Sequence, residues 1–253
     1  MTKVICIIPA RYASTRLPGK PLADLCGKPL IRWVYERAEA AAEIHETYVA
    51  TDDERIFDAV KGFGGKAIMT MGDYQSGTDR IADAASQLKA DIVVNLQGDE
   101  PTMHPETINR AVEALRQNPD FSVSTAMVKI RDEKEYLSPD AVKVVATSKG
   151  RALYFSRSPL PSLARSSGKN EFQGFLGYKH LGLYVYRIDV LLAFPKLKPS
   201  FLERIEQLEQ LRLLEHGYAI RVIETPHDST GVDTPEDLAL LRDQFSKRKS
   251  RHT

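Results

Sequence analysis

Three cations, Arg11, Arg16 and Lys20, surround Ser14 and Thr15 directly behind the apolar run Val4–Ile8. Two guanidinium forks, one ammonium and the amides of a Pro18-Gly19 turn can together grip several phosphate oxygens. A solvated basic loop is the alternative. The loop is neither a Walker motif nor G-x-G-x-x-G, because Pro21 follows Gly19-Lys20 where a Walker loop needs Ser or Thr. Farther along, "VVNLQGDEP" (93–101) delivers Asp99 and Glu100 at the end of an apolar run. Mg²⁺ takes one or two carboxylates plus substrate phosphates, so an acid facing a phosphate loop suits that ion. A turn acid capping a helix near Pro105 is the other reading. "TGVDTPEDL" (230–238) presents Asp233 where a plain N-cap is the default, and only its pairing with Asp99 suggests a Mg²⁺ clamp on a triphosphate.

These groups need elements to carry them. Val4–Ile8 has no polar alternation and predicts a strand buried on both faces. Apolar spacing predicts a helix over 28–42, with Pro29 in its first turn. Strands follow at 47–51, 66–70 and 91–96, and helices at 52–65 and 76–89, the first opening on capping acids and closing on glycines. Alternation of this kind predicts an α/β fold with a doubly wound, mostly parallel sheet, whose ligands sit beyond the strands' carboxyl ends. The second half reads differently. A hairpin is expected over 141–157 around "SKGR", a Ser/Gly-rich loop over 162–174, and a half-buried strand over 179–187. One helix is expected over 201–217 with Gly217 as its C-cap, then a strand over 219–225 and a helix after "GVDTPED". The whole reads as one domain over 1–253, with an excursion at about 138–217 and a basic tail at 245–253.

The chain has 253 residues and carries 35 basic against 34 acidic side chains, a net charge of +1. Such balance argues against a nucleic-acid coat or a membrane-surface protein, so anion binding must come from local clusters. Two cysteines, Cys6 and Cys26, suggest no disulfide framework and fit a reducing cytoplasm. The apolar run at the start is too short for a signal segment or a membrane span.

In order and spacing, "IIPARYASTRLPGKPL", "ATDDERI", "SGTDR", "VNLQGDEP", "ALYFSRSPLP", "KHLGLYVY", "LEQLRLLE" and "GVDTPEDL" resemble the 3-deoxy-manno-octulosonate (Kdo) cytidylyltransferase family of the sugar nucleotidyltransferases. The first block marks only the wider group; "YFSRSP", "KHLG" and "LEQLR" are specific to the Kdo branch. The resemblance implies a Rossmann-like nucleotidyltransferase fold with an inserted sugar-binding and dimerisation region. The implied reaction passes CMP from CTP to the anomeric hydroxyl of Kdo, for the inner core of lipopolysaccharide. It places Arg11, Ser14 and Lys20 on the CTP phosphates, and Thr51, Asp52, Ser76 and Gly77 around the cytosine. Asp99 and Asp233 would hold Mg²⁺. Gln97, Arg157, His180, Tyr184, Glu209, Gln210 and Arg80 would meet the sugar. A homodimer is also implied. Catalysis would rest on Lys20, Arg11 and the Mg²⁺ held by Asp99 stabilising phosphoryl charge, with no dedicated general base. Related acid sugars, 8-amino-Kdo or sialic acid, are the alternative acceptors; a nucleotide sensor would be expected to have lost Lys20, Asp99 or Asp233.

Overall fold

In the computed structural model, which describes residues 2–14, 16–74, 76–164 and 174–249, the first strand β1 (Val4–Ala10) is buried along nearly its whole length. Its alternate residues serve two cores: Val4, Cys6, Ile8 and Ala10 face one cluster, Ile5 and Ile7 the other. Helices cover both faces, which is why the strand carries no polar alternation. Burying each such Ile contributes about 1.5–3 kcal/mol relative to exposure.

A short ribbon, β2 (Asp24–Leu25) with β3 (Lys28–Pro29), precedes α1 (Leu30–Glu39), so the first helix begins two residues later than expected from Pro29. Then come β4 (Glu46–Thr51), α2 (Glu54–Gly62, capped by Asp53), β5 (Lys66–Met69), α3 (Gly77–Ser86, capped by Ser76) and β6 (Ile92–Leu96). α4 (Pro105–Arg116), β7 (Val123–Ile130) and α5 (Glu133–Leu137) follow. The hairpin at 141–157 is β8 (Lys143–Ala146) with β9 (Ala152–Ser156), and β10 (Gly177–Arg187) leads into α6 (Ile188–Ala193).

Two helices, α7 (Phe201–Glu206) and α8 (Gln210–Glu215), stand where one was expected over 201–217. The break is at Gln207, whose backbone is left-handed at φ 55°. α7 has no buried residue, whereas α8 buries Gln210, Leu211, Arg212 and Leu213. The kink therefore turns α8 into the core while α7 stays at the surface. A buried ion pair, Arg212 Nε to Glu203 at 2.8 Å, ties the two halves together.

β11 (Ile220–Glu224) and α9 (Pro235–Lys249) end the described chain. α9 continues through 245–249, part of the stretch expected as a tail, and buries Phe245 edge-on to Trp33 at 4.7 Å. Residues 250–253, the loop positions 165–173 and Thr15 lie outside the described residues.

The main sheet runs β11-β7-β10-β6-β1-β4-β5. Neighbours pair in parallel except β10, which is antiparallel to both β6 and β7. The excursion expected over 138–217 is thus interrupted by a central strand of the sheet. The carboxyl ends of β1, β4 and β6 open together on one edge. No helix of the described residues is long and apolar enough to cross a membrane.

Candidate active site

At the carboxyl ends of β1 and β6 lies a cavity of about 500 Å³. Arg11, Ser14 and Lys20 enter it from the loop after β1, Gln97 and Asp99 from the end of β6, and Ser76, Gly77 and Arg80 from the start of α3. Arg157, Glu209 and Asp233 complete it, with Arg16 and Tyr74. Five of these side chains are cationic and three acidic, so the cavity suits a polyanion.

Lys20 is the centre of charge. Its Nζ lies 2.7 Å from Asp99 and 3.0 Å from Asp233, and Arg16 adds 3.1 Å to the other oxygen of Asp233. Burial pushes the ammonium pKa down, but the two carboxylates outweigh it and hold it above the usual lysine value. Neither acid is a helix cap. α4 is capped by His104 Nδ1, which accepts the Glu106 amide. At α9 the Asp237 amide donates to Thr234 Oγ1, leaving the Asp233 carboxylate on Lys20. The backbone sets both positions. Any side chain at Gly98 would come within 2.6 Å of the Pro9 carbonyl, so only glycine lets β6 close on β1 here. The Val232 amide donates to the Asp99 carbonyl at 2.9 Å, stitching the two acid-bearing segments together.

One expectation for the cation loop fails. The amides of Ser14, Gly19 and Lys20 donate within the loop, to Tyr12, Tyr12 and Leu17 carbonyls at 3.0, 3.1 and 3.1 Å. They shape the turn, with Gly19 at φ 68°, so anion binding by these residues falls to side chains.

Arg157, also on the cavity lining, donates to two carbonyls, from Nε to Glu206 at 3.1 Å and from Nη1 to Pro139 at 3.0 Å. Gln97 donates to Asn95 Oδ1 at 2.9 Å. Glu209 accepts from Ser76 and Thr78 at the start of α3; burial nonetheless pushes its pKa up. Arg80, nearly buried, spans Asp52 at 2.7 Å and Thr70 Oγ1 at 2.8 Å, which couples Asp52 to the cavity from behind. Thr51, Asp52, His180, Tyr184 and Gln210 are not among the lining residues. Thr51 accepts the Asp53 amide at 3.2 Å, and Gln210 is buried on α8.

His180 packs edge-on to Phe155 and beside Tyr184, each at 5.1 Å. Thr125 gives its only hydroxyl proton to the Leu183 carbonyl, so its contact with His180 Nε2 at 2.8 Å assigns the proton there to the imidazole. Desolvation lowers the His180 pKa to about 3. An unfolded histidine titrates near 6.5, so between these values the unfolded chain holds a proton that the folded chain lacks. Stability is therefore lost as pH falls through that window. Replacing His180 by Gln should remove about 2 kcal/mol of the loss between pH 6.5 and 4.5, read from urea midpoints of both proteins. Parallel pH profiles would rule out a buried neutral imidazole.

A family model described as cytidylyltransferase matches residues 5–223. The 3-deoxy-manno-octulosonate cytidylyltransferase of Geobacter sulfurreducens is 52% identical over 247 residues, covering 96% of this chain and 99% of that protein. The chain belongs to the 3-deoxy-manno-octulosonate cytidylyltransferase family. The protein of that name from Geotalea uraniireducens is 49% identical, covering 97% and 100%. A solved structure of CMP:2-keto-3-deoxy-manno-octonic acid synthetase complexed with CTP superposes with a TM-score of 0.90 at 45% identity, covering 98% of this chain and all of the other. A 3-deoxy-manno-octulosonate cytidylyltransferase is a nucleotidyltransferase. Two of the cavity's polar lining residues, Arg16 and Tyr74, have no role among those the resemblance implies. Arg16 was visible as a third cation of the loop. Tyr74 had no local signal: it is fixed by its hydroxyl on Asp83 at 2.6 Å and by the Arg80 guanidinium 4.9 Å from its ring. Glu100, beside Asp99, accepts from Ser229, and burial raises its pKa to about 7.

Proposed function

We propose that the cavity holds the triphosphate of CTP against Arg11, Ser14, Arg16 and Lys20 and the acid sugar against Arg157, Gln97 and Glu209. The reaction is transfer of CMP from CTP to the anomeric hydroxyl of Kdo, with release of pyrophosphate. The observation that carries this assignment of residues is the convergence of Asp99 and Asp233 on Lys20 in a cavity that Arg157 also lines. The sugar oxygen attacks the α-phosphorus in line and pyrophosphate departs on the opposite side. Positioning and charge stabilisation do most of the work. Lys20, held protonated, and the two loop arginines offset charge on the phosphoryl oxygens and the departing pyrophosphate. Arg157, its orientation fixed by two carbonyls, takes the sugar carboxylate, and Gln97 and Glu209 offer donors and acceptors to hydroxyls. Thr51, Asp52, Ser76 and Gly77 set the base pocket, Asp52 acting through Arg80. His180, Tyr184 and Gln210 support the sugar side from behind the cavity wall.

Asp99 and Asp233 already place carboxylate oxygens within 3.0 Å of one cationic atom, an all-oxygen anionic set that fits Mg²⁺. When bound there the ion would stabilise phosphoryl charge and lower the pKa of the attacking hydroxyl. Free Cys6 and Cys26 accord with a cytoplasmic enzyme. Phe201 and Ile205 on α7 are 63% and 68% exposed, an apolar surface suited to a second copy in a homodimer.

Pyrophosphate release with CTP, Mg²⁺ and a panel of Kdo, 8-amino-Kdo and sialate tests the acceptor. Kdo is expected to be used; release with sialate and none with Kdo overturns the reading. Replacing Arg157 by Ala should raise KM for Kdo by about 10–100-fold, the worth of a charge-assisted pair, with kcat little changed. An unchanged KM in initial-rate measurements removes Arg157 from the carboxylate.

A further inference from the structure

Away from the cavity, among the described residues, His104, Glu106 and His227 each bring one potential ligand atom within 4.8 Å of the other two. His104 caps α4, and His227 lies on the segment after β11. Their rings stack with centroids 3.6 Å apart and planes 10° apart, and His227 Nε2 is 3.1 Å from Glu106 Oε2. We propose that His104, Glu106 and His227 bind one divalent transition-metal ion of the zinc or nickel class.

Two imidazoles and a carboxylate form the donor set that borderline metals favour, and one that Mg²⁺ and Ca²⁺ do not. Two of the three residues are exposed and the third half-buried, so an ion can enter from solvent and keep a water ligand. Parallel rings aim their lone pairs side by side rather than at one point. Ligation therefore requires one ring to tilt, which exposed side chains do by rotating about their own bonds. It also exchanges the Glu106 amide or carboxylate hydrogen bond for a metal bond.

The location gives the ion a consequence. His104 and His227 sit on the two segments that carry Asp99 and Asp233, already joined by Thr230 N to Thr102 Oγ1 at 2.7 Å. A bound metal would cross-link them. This inference does not rest on the substrate assignment, because its readout is metal binding.

The test is a titration of untagged, full-length protein, stripped with chelator and held in excess Mg²⁺, with Zn²⁺ by calorimetry and Co²⁺ by visible absorption. One equivalent per chain is expected, with a zinc-dependent rise in melting temperature. His227→Ala and His104→Asn should each weaken binding by about tenfold or more and abolish the rise. Asn is chosen because it caps helices well, so the variant can fold as the parent does. His216→Ala, at an exposed histidine elsewhere, should bind as the parent does. Absence of stoichiometric binding in the parent, or retention of the site in either variant, overturns the proposal.

Discussion

Replacing Asp99 by Asn is expected to give a folded protein whose turnover is lower by about 10³-fold, the rate equivalent of ~4 kcal/mol. The amide has nearly the same shape but no charge, so it cannot share a divalent cation with Asp233 as a carboxylate does. The fold should tolerate the change. The backbone contact from Val232 to the Asp99 carbonyl does not involve the side chain, and Gly98 keeps the close approach to Pro9. Lys20 retains Asp233 at 3.0 Å. The lost Lys20 pair is a third exposed on the acid side, so its contribution to stability is about 1 kcal/mol or less. Pyrophosphate release at saturating CTP, measured beside the thermal midpoint, separates the two effects. Chelating divalent ions should silence the parent enzyme, and the variant should need more metal for what activity remains. A near-normal rate would take Asp99 out of the metal site.

Which parts of this arrangement the sequence announces follows from where the determining contacts lie. β1 is legible because both its faces are covered, and burial on two sides leaves an unbroken apolar run of its own. The segment that forms β7, "VSTAMVKI", gives no such signal although it is paired on both sides. Its Ser124 and Thr125 are buried and satisfied by distant backbone, Ser124 on the Ala111 carbonyl at 2.6 Å and Thr125 on that of Leu183 at 2.6 Å. The break at Gln207 is equally silent, since the leucine spacing runs straight across it and nothing local marks a left-handed glutamine. In the cavity, Lys20 and Asp99 were legible as a cation loop and a strand-end acid. That Asp233 is no cap required the register of Thr234 with Asp237. From its residues His180 was legible as a histidine on a strand, and only the resemblance gave it a sugar to meet. Its enclosure by Thr125, Phe155 and Tyr184 comes from three different elements and sets its charge.

Lys20→Met is the second large effect, and it divides into two opposite results. Turnover should fall by about 10²–10³-fold, as for removal of a donor aimed at developing charge. Affinity of the nucleotide-free protein for a divalent cation should rise. In the free enzyme the Lys20 ammonium lies between the two carboxylates, so an entering ion must compete with a cation already in contact with both. Methionine keeps the length and the packing of the stem but removes that competitor. Stability should drop by about 1–2 kcal/mol, because Asp99 and Asp233 then lose their shared ammonium while Arg16 still pairs with Asp233 and both acids remain partly hydrated. Mn²⁺ binding followed by electron paramagnetic resonance, without CTP, reads the affinity, and initial rates with CTP and Kdo read the turnover. A variant that loses rate and binds Mn²⁺ more tightly assigns Lys20 to the transferring phosphates. A variant that loses rate and Mn²⁺ binding together would instead make Lys20 a structural support of the carboxylate pair, and the charge stabilisation would pass to Arg11 and Arg16.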